Sequence, residues 1–209
     1  QEDLITSLSE EFVYQLPYQP GYQYNSITGP ANLRISALGA IHWIPLPTQV
    51  DENIIEIDIN TGSEINRHRL NVYVNAPPVI SYRPAYKEQI ARGDTFVFMC
   101  QSFDANKETK LYWSTNSNQQ DSLLILETGE ILWPTEQLID NVNYQIILTD
   151  TMDMDVFSGI LYINDPPKTL STPPQIIQLG DTLHYNIKIE DRNKQKALLN
   201  RRAFCLFRL

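Results

Sequence analysis

Three carboxylates fall within six residues in the run Asp150-Thr151-Met152-Asp153-Met154-Asp155. Clustered oxygens of this kind suit a hard cation such as calcium, which takes about six to eight oxygen ligands. Asp165, Asp181 and Asp191 are further donors along the chain, and Asp104, Asp150, Asp153 and Asp155 form the candidate metal set. The same run also fits a polar hairpin turn between strands over 144–149 and 157–163, because Asp side chains bond readily to nearby turn backbone. At the level of sequence both readings stand.

Other chemistries find less material. His42, His68 and His184 are dispersed, with no i, i+4 or His-x-His spacing to bring two zinc ligands together. There is no Gly-x-Ser-x-Gly elbow and no phosphate-cradling glycine motif, and the chain has only eight glycines. Cys100, in Phe96-Val97-Phe98-Met99-Cys100, shares a strand face with Phe96 and Phe98 and is expected to be a buried, inert thiol. Cys205 sits in a separate tail segment, and no Cys100–Cys205 bridge is expected. These observations argue against an enzyme. They assign no catalytic residue and no cofactor, with calcium the one ion considered.

Aromatic residues supply candidate contact surfaces. Tyr14, Tyr18, Tyr22 and Tyr24 cluster with Pro17, Pro20 and Gly21. Such loops offer amphipathic area at low entropic cost, so Tyr18, Tyr22 and Tyr24 are candidates for touching a protein or glycan, against the alternative of packing over a sheet edge. Trp113, in Leu111-Tyr112-Trp113, occurs once and is expected to be exposed.

The elements that must position these residues follow from an internal repeat. Gly39-Ala40-Ile41-His42-Trp43 returns 90 residues later as Gly129-Glu130-Ile131-Leu132-Trp133. Asn75-Ala76-Pro77-Pro78 returns after 89 residues as Asn164-Asp165-Pro166-Pro167, and Gly93-Asp94-Thr95-Phe96 after 87 as Gly180-Asp181-Thr182-Leu183. Repetition at this period divides the chain into units over 1–76 and 77–165 and the opening of a third over 166–209. Each Pro-Pro pair predicts a short, stiff join, since proline fixes φ and holds the preceding residue extended. Within the units apolar residues alternate, as in Ile55, Ile57 and Ile59 against Glu56, Asp58 and Asn60, which predicts half-buried strands. Short strands between Gly, Pro, Asn and Asp clusters predict an all-β chain of antiparallel sandwiches. Recurrence beside an apolar partner places Trp43 and Trp133 in cores, with Gly39 and Gly129 turning the chain at positive φ.

The chain has 209 residues, 42% of them hydrophobic, with 16 Lys and Arg against 25 Asp and Glu, a formal charge of −9. An acidic balance argues against nucleic acid, whose partners carry a basic face. No run of about 18 apolar residues predicts a transmembrane segment. The chain opens at Gln1 without Met or an apolar leader, as a processed or internal segment would.

The order Gly93-Asp94-Thr95-Phe96, Ser102-Phe103-Asp104, Leu111-Tyr112-Trp113, Gly129-Glu130-Ile131-Leu132-Trp133-Pro134, Leu148-Thr149-Asp150 and Ile163-Asn164-Asp165-Pro166-Pro167 resembles the cadherin-like, immunoglobulin-fold repeats of dystroglycan and of bacterial surface proteins. The resemblance covers the second unit best. In the first, Ser9-Glu10-Glu11-Phe12 stands where Gly-Asp-Thr-Phe is expected. It implies a non-enzymatic extracellular, cell-surface or periplasmic module, acting as spacer, adhesin segment or assembly subunit. A carbohydrate-binding module and a calcium-dependent adhesion domain are the alternatives. In the partial third unit, Leu183, Tyr185, Ile187 and Ile189 would face water on an open half-sandwich. Either the third repeat is truncated, or strands of another chain complete it by addition. The segment after it carries Arg192, Lys194, Lys196, Arg201, Arg202 and Arg208, with a ragged apolar stripe fit for a short helix. Expected partners are therefore proteins or a second copy, with a glycan as the further option.

Overall fold

The computed structural model describes residues 2–119, 123–139, 141–173 and 185–191. Asp181, Leu183, His184, Cys205 and the basic segment from Arg192 onward lie outside those residues. The first unit runs β1 (Glu2–Ser7), β2 (Phe12–Gln15), β3 (Gln23–Thr28), β4 (Arg34–Ile35), β5 (Ala40–Trp43), β6 (Asp51–Asn60) and β7 (Ile65–Asn75). They form two sheets, ordered β2-β5-β4 and β1-β7-β6-β3. The second unit runs β8 (Val79–Tyr82), β9 (Lys87–Ala91), β10 (Thr95–Met99), β11 (Gln101–Phe103), β12 (Tyr112–Ser117), β13 (Leu124–Ile125), β14 (Glu130–Pro134), β15 (Asn141–Thr149) and β16 (Met154–Asn164). Its sheets are β10-β14-β13, the β8-β11 pair and β9-β16-β15-β12. Among the described residues the only helical element is a single 3₁₀ turn over Pro47–Gln49.

The alternation read from sequence is the alternation of burial. Ile55, Ile57 and Ile59 of β6 face Leu70, Val72 and Val74 of β7 in one core, with Trp43 and Phe12. Trp133, Tyr144, Ile146, Leu148 and Leu161 build a second core that shares no residue with the first. Both repeated tryptophans are at most 1% exposed, so their role is packing. Phe12 meets Trp43 edge-on at 6.1 Å, and Trp133 meets Tyr144 edge-on at 5.6 Å, the geometry that ring quadrupoles favour. Register repeats as well, with Phe12 opposite Trp43 and Phe96 opposite Trp133.

One feature departs from a purely antiparallel sandwich. The first strand of the larger sheet runs parallel to the last in each unit: β1 beside β7 and β9 beside β16. Parallel neighbours need a long crossover, so no turn signal could announce the pairing.

Two turns explain the glycines that recur. Gly39 and Gly129 hold φ at 79° and 85°. A Cβ on Gly129 would stand 2.7 Å from the Cys100 carbonyl oxygen, and the Gly129 carbonyl accepts from the Cys100 N–H. Ahead of the first core phenylalanine, Gly93 sits at φ 93° and Ser9 at φ 65°. The departure from Gly-Asp-Thr-Phe in the first unit thus keeps the turn but puts a side chain where glycine is preferred, costing about 1–2 kcal/mol. Ser9→Gly is expected to raise the melting temperature by a few degrees. Gly129→Ala is expected to destabilise the second unit by more than about 2 kcal/mol, since backbone strain of about 1–3 kcal/mol adds to the clash. Calorimetry on both variants checks the two signs.

Candidate functional site

The side chains that could do more than pack converge where the two units meet. Strand β7 ends at Asn75, and Ala76-Pro77-Pro78 leads directly into β8. Asn75 is 2% exposed, and its amide nitrogen donates to Asp150 Oδ2 and Asp153 Oδ2, both at 2.8 Å. From the second unit, Asn106 returns the contact. It is 3% exposed; its Oδ1 accepts from the Ala76 N–H at 2.7 Å, and its Nδ2 donates to the Val74 carbonyl at 2.9 Å and to Asp51 Oδ1 at 3.0 Å. Both amide hydrogens and the oxygen are therefore in use, as burial of a carboxamide requires. The Lys107 N–H adds a second bond to Asp51, and the Tyr73 hydroxyl meets Thr109 at 3.4 Å.

Local backbone sets these groups. Asp51 opens β6 at φ 75°, a conformation that Asp tolerates better than most residues. Asp104 Oδ1 accepts from the Asn106 N–H at 2.8 Å, closing the turn that aims Asn106. The run from Asp150 is the hairpin turn between β15 and β16: Asp150 Oδ1 accepts from the Met152 and Asp153 N–H groups at 2.8 Å and 2.6 Å. The turn reading is the one the backbone adopts.

The four candidate metal residues are placed as follows. Asp150 and Asp153 share Asn75, and Asp104 lies close enough to feel Asp150 and Asp51. Asp155 is turned to the start of β8, where Oδ2 accepts from the Ile80 N–H at 2.8 Å. Among the described residues no group of three or more His, Cys, Asp or Glu is arranged to hold a metal ion. Burial raises the Asp104 carboxyl; the Asn106 N–H works against that, and the charges of Asp150 and Asp51 add to it. Its Oδ2 is buried without a hydrogen-bond partner. For Asp150 burial also pushes upward, but the hydrogen bonds from the Asp153 N–H, Asn75 and the Met152 N–H outweigh it and hold the carboxyl below its ordinary range.

The expected contact residues divide. Tyr18 is exposed at 46%, but Tyr22 and Tyr24 pack against the first core. Tyr24 lies over Gly39 and donates to the Pro17 carbonyl at 2.7 Å. Trp113, expected to be exposed, instead packs against the second core beside Gly129, because the inward positions of β12 need an apolar cover. Its neighbour Tyr112 is the exposed ring, with Lys110 above it. Ile187 and Ile189 are exposed, and the Tyr185 hydroxyl donates to Ser171. Leu183 lies outside the described residues. The opening of the third unit pairs β17 (Lys168–Thr169) with β18 (Ile189–Glu190), repeating the β8–β11 pairing. The second join carries an Arg92–Asp165 ion pair, with Arg92 also donating to the Leu138 carbonyl. Cys100 is buried, and burial pushes its thiol up to about 11, so it is a packing residue.

Sequence reasoning missed Asn106 and Asp51. A signal was present: Asp104-Ala105-Asn106-Lys107 returns as Asp191-Arg192-Asn193-Lys194.

No family model matches the chain, and no curated protein does. Solved structures do. The extracellular domains 3–5 of Drosophila OTK match at TM-score 0.60 and 14% identity, covering 78% of this chain and 58% of that one. A three-immunoglobulin fragment of titin matches at TM-score 0.58 and 10% identity, over 90% of this chain and 73% of the fragment. The eight N-terminal immunoglobulin domains of Down Syndrome Cell Adhesion Molecule match at TM-score 0.59 and 14% identity, over 83% and 25%. The chain thus spans little more than half of the OTK fragment. The fold is that of tandem immunoglobulin-like domains; the finer cadherin-like resemblance stays an expectation. Among the described residues no helix is long and apolar enough to cross a membrane.

The opposite shifts of Asp104 and Asp150 have opposite consequences for stability. A carboxyl raised on folding favours the fold at low pH and opposes it once ionised; a lowered one does the reverse. Asp104→Asn keeps the acceptor for Asn106 and removes the opposed charge. It is expected to raise the melting temperature at pH 7, with the gain fading as pH falls toward about 4, where a free Asp carboxyl protonates. Asp150→Asn is expected to lower the melting temperature at pH 7. Melting curves across pH 3–8 check both signs.

Proposed function

We propose that the chain is a non-enzymatic structural and adhesion module of the extracellular space or cell envelope, a spacer of serially coupled immunoglobulin-like units. The observation that carries this reading is the Asn106 side chain. It belongs to the second unit, yet it bonds to three groups of the first and is buried while doing so. A linker that only tethered domains would leave such an amide to water. Interfaces between domains otherwise default to relative motion, and here the Pro-Pro join and two buried amides oppose it. The likeness to the extracellular domains of OTK supports the extracellular part and that to Down Syndrome Cell Adhesion Molecule the adhesive part, with protein partners or a second copy met through exposed strand faces. The units of this reading are 1–76, 77–165 and the opening of a third over 166–209.

Small-angle scattering tests the spacer reading. The chain is expected to give a scattering curve that one rigid arrangement fits. The double variant Asn75→Ala, Asn106→Ala is expected to need an ensemble of bent arrangements while both units stay folded. A native chain that already needs a broad ensemble would overturn the spacer reading. Calcium-dependent adhesion is separated by repeating the measurement with added calcium, together with light scattering for self-association. The spacer reading expects the native curve to be unchanged.

A further inference from the structure

The larger sheet of the second unit carries an open groove of about 430 Å³, lined mainly by Asn, Gln, Ser and Tyr residues, that the inter-unit contacts do not use. That volume is within the range of small-ligand clefts, about 300–1,000 Å³. Asn116, Gln145 and Ser158 form one cross-strand row over β12, β15 and β16. Asn118, Asn143 and Tyr86 border the groove beyond them. Among the described residues no charged side chain lines it, although the chain as a whole carries 41 charged residues.

The first unit shows what these positions hold when they are only a sheet surface. Its corresponding sheet, β1-β7-β6-β3, carries Thr28, Glu56 and Arg69 along the matching row. Glu56 and Arg69 pair at 4.0 Å, and Asp58 and Arg67 pair at 2.8 Å beside them. In the second unit the acid and base are replaced by Gln145 and Ser158. One layer beneath, the buried Ile55–Leu70 pair of the first unit is replaced by Tyr144 and Gly159. A Cβ at Gly159 would stand 2.6 Å from the Tyr144 ring, so the glycine is what admits the tyrosine.

The side chains keep polar groups for a ligand, although Gln145 Nε2 already donates to Ser158 Oγ at 3.3 Å. Asn116 is exposed, and among the described residues its side chain makes no hydrogen bond while its backbone pairs with Gln145. Asn118 uses its oxygen on the Asn143 N–H, which leaves its amide hydrogens. Tyr86 is 58% exposed and is held at the edge by the bond between its carbonyl and the Ile160 N–H. Carboxamides donate and accept side by side, as hydroxyl groups of a polyol require. An exposed tyrosine adds an apolar face with a polar tip. Among the described residues the groove presents no Lys or Arg to an anion and no carboxylate to an amine. Strand addition by a peptide cannot take place at β15 or β16, which each have a neighbour on both sides, and would have to use the β12 or β9 edge.

We propose that this groove binds a neutral saccharide, the Tyr86 ring lying against a sugar face and the Asn116, Asn118 and Gln145 amides bonding its hydroxyls. The site is independent of the spacer reading, since it uses none of the residues at the join. An array of neutral oligosaccharides of the gluco-, manno-, galacto- and N-acetylglucosamine series, beside sulfated and sialylated ones, provides the probe. The chain is expected to retain neutral glycans. Tyr86→Ala and Asn116→Ala are each expected to weaken the strongest of them roughly fivefold or more, the worth of about one lost hydrogen bond or ring contact. Both residues are exposed, so the melting temperature should stay within about a degree, as is usual for surface substitutions. Amide shifts on titration with that glycan are expected at Asn116, Asn118 and Asn143. Retention of acidic glycans alone, retention of none, or binding that survives both substitutions overturns the proposal.

Discussion

A carboxamide buried at a domain boundary costs about 1–3 kcal/mol for each polar group left without a partner. Asn75 and Asn106 sit at such a boundary almost without solvent, and the rest of the junction is arranged around satisfying them. Asp51 adopts left-handed backbone where its carboxylate meets Asn106, and the Asp150 turn places two carboxylates on Asn75. Because each amide needs acceptors or donors from the neighbouring unit, neither unit can rotate without exposing or orphaning them. The two hydrophobic cores share no residue, and the polar clasp links the units that hold them.

This arrangement also accounts for the carboxylates. Several acids near one another would repel in the absence of donors, and the amide and backbone N–H groups supply those donors. Asp150 receives enough of them to stay ionised against burial, whereas Asp104 has one oxygen bonded and the other bare. Asp150 and Asp153 thus accept from Asn75 across the joint, while Asp104 and Asp155 accept from N–H groups of their own unit.

Architecture was legible in the sequence where a period repeated. Alternation of Ile55, Ile57 and Ile59, the recurring Gly-x-Ile-x-Trp, and Asn-x-Pro-Pro gave strands, cores and the join, because side-chain facing is a local property of strands. What the sequence did not give was long range. The parallel β1–β7 and β9–β16 pairs have no turn to mark them. Trp113 occurs once, which suggests exposure, but it is half-buried, packed against the second core beside Gly129. Asn106 lies in a polar loop whose Asp-x-Asn-Lys pattern returns at 191–194, which marks the position but not its contact with Ala76, thirty residues earlier. The polar groove depends on side chains from three strands and was invisible until they were set in register.

The central claim is that the two units move as one body through the Asn75 and Asn106 amides. Residual dipolar couplings of the backbone amides in a weakly aligned medium measure it most directly. The account predicts that a single alignment tensor fits both units, with the same axes and magnitude. Separate tensors of different magnitude for the two units would contradict it, because they would show the clasp open in solution.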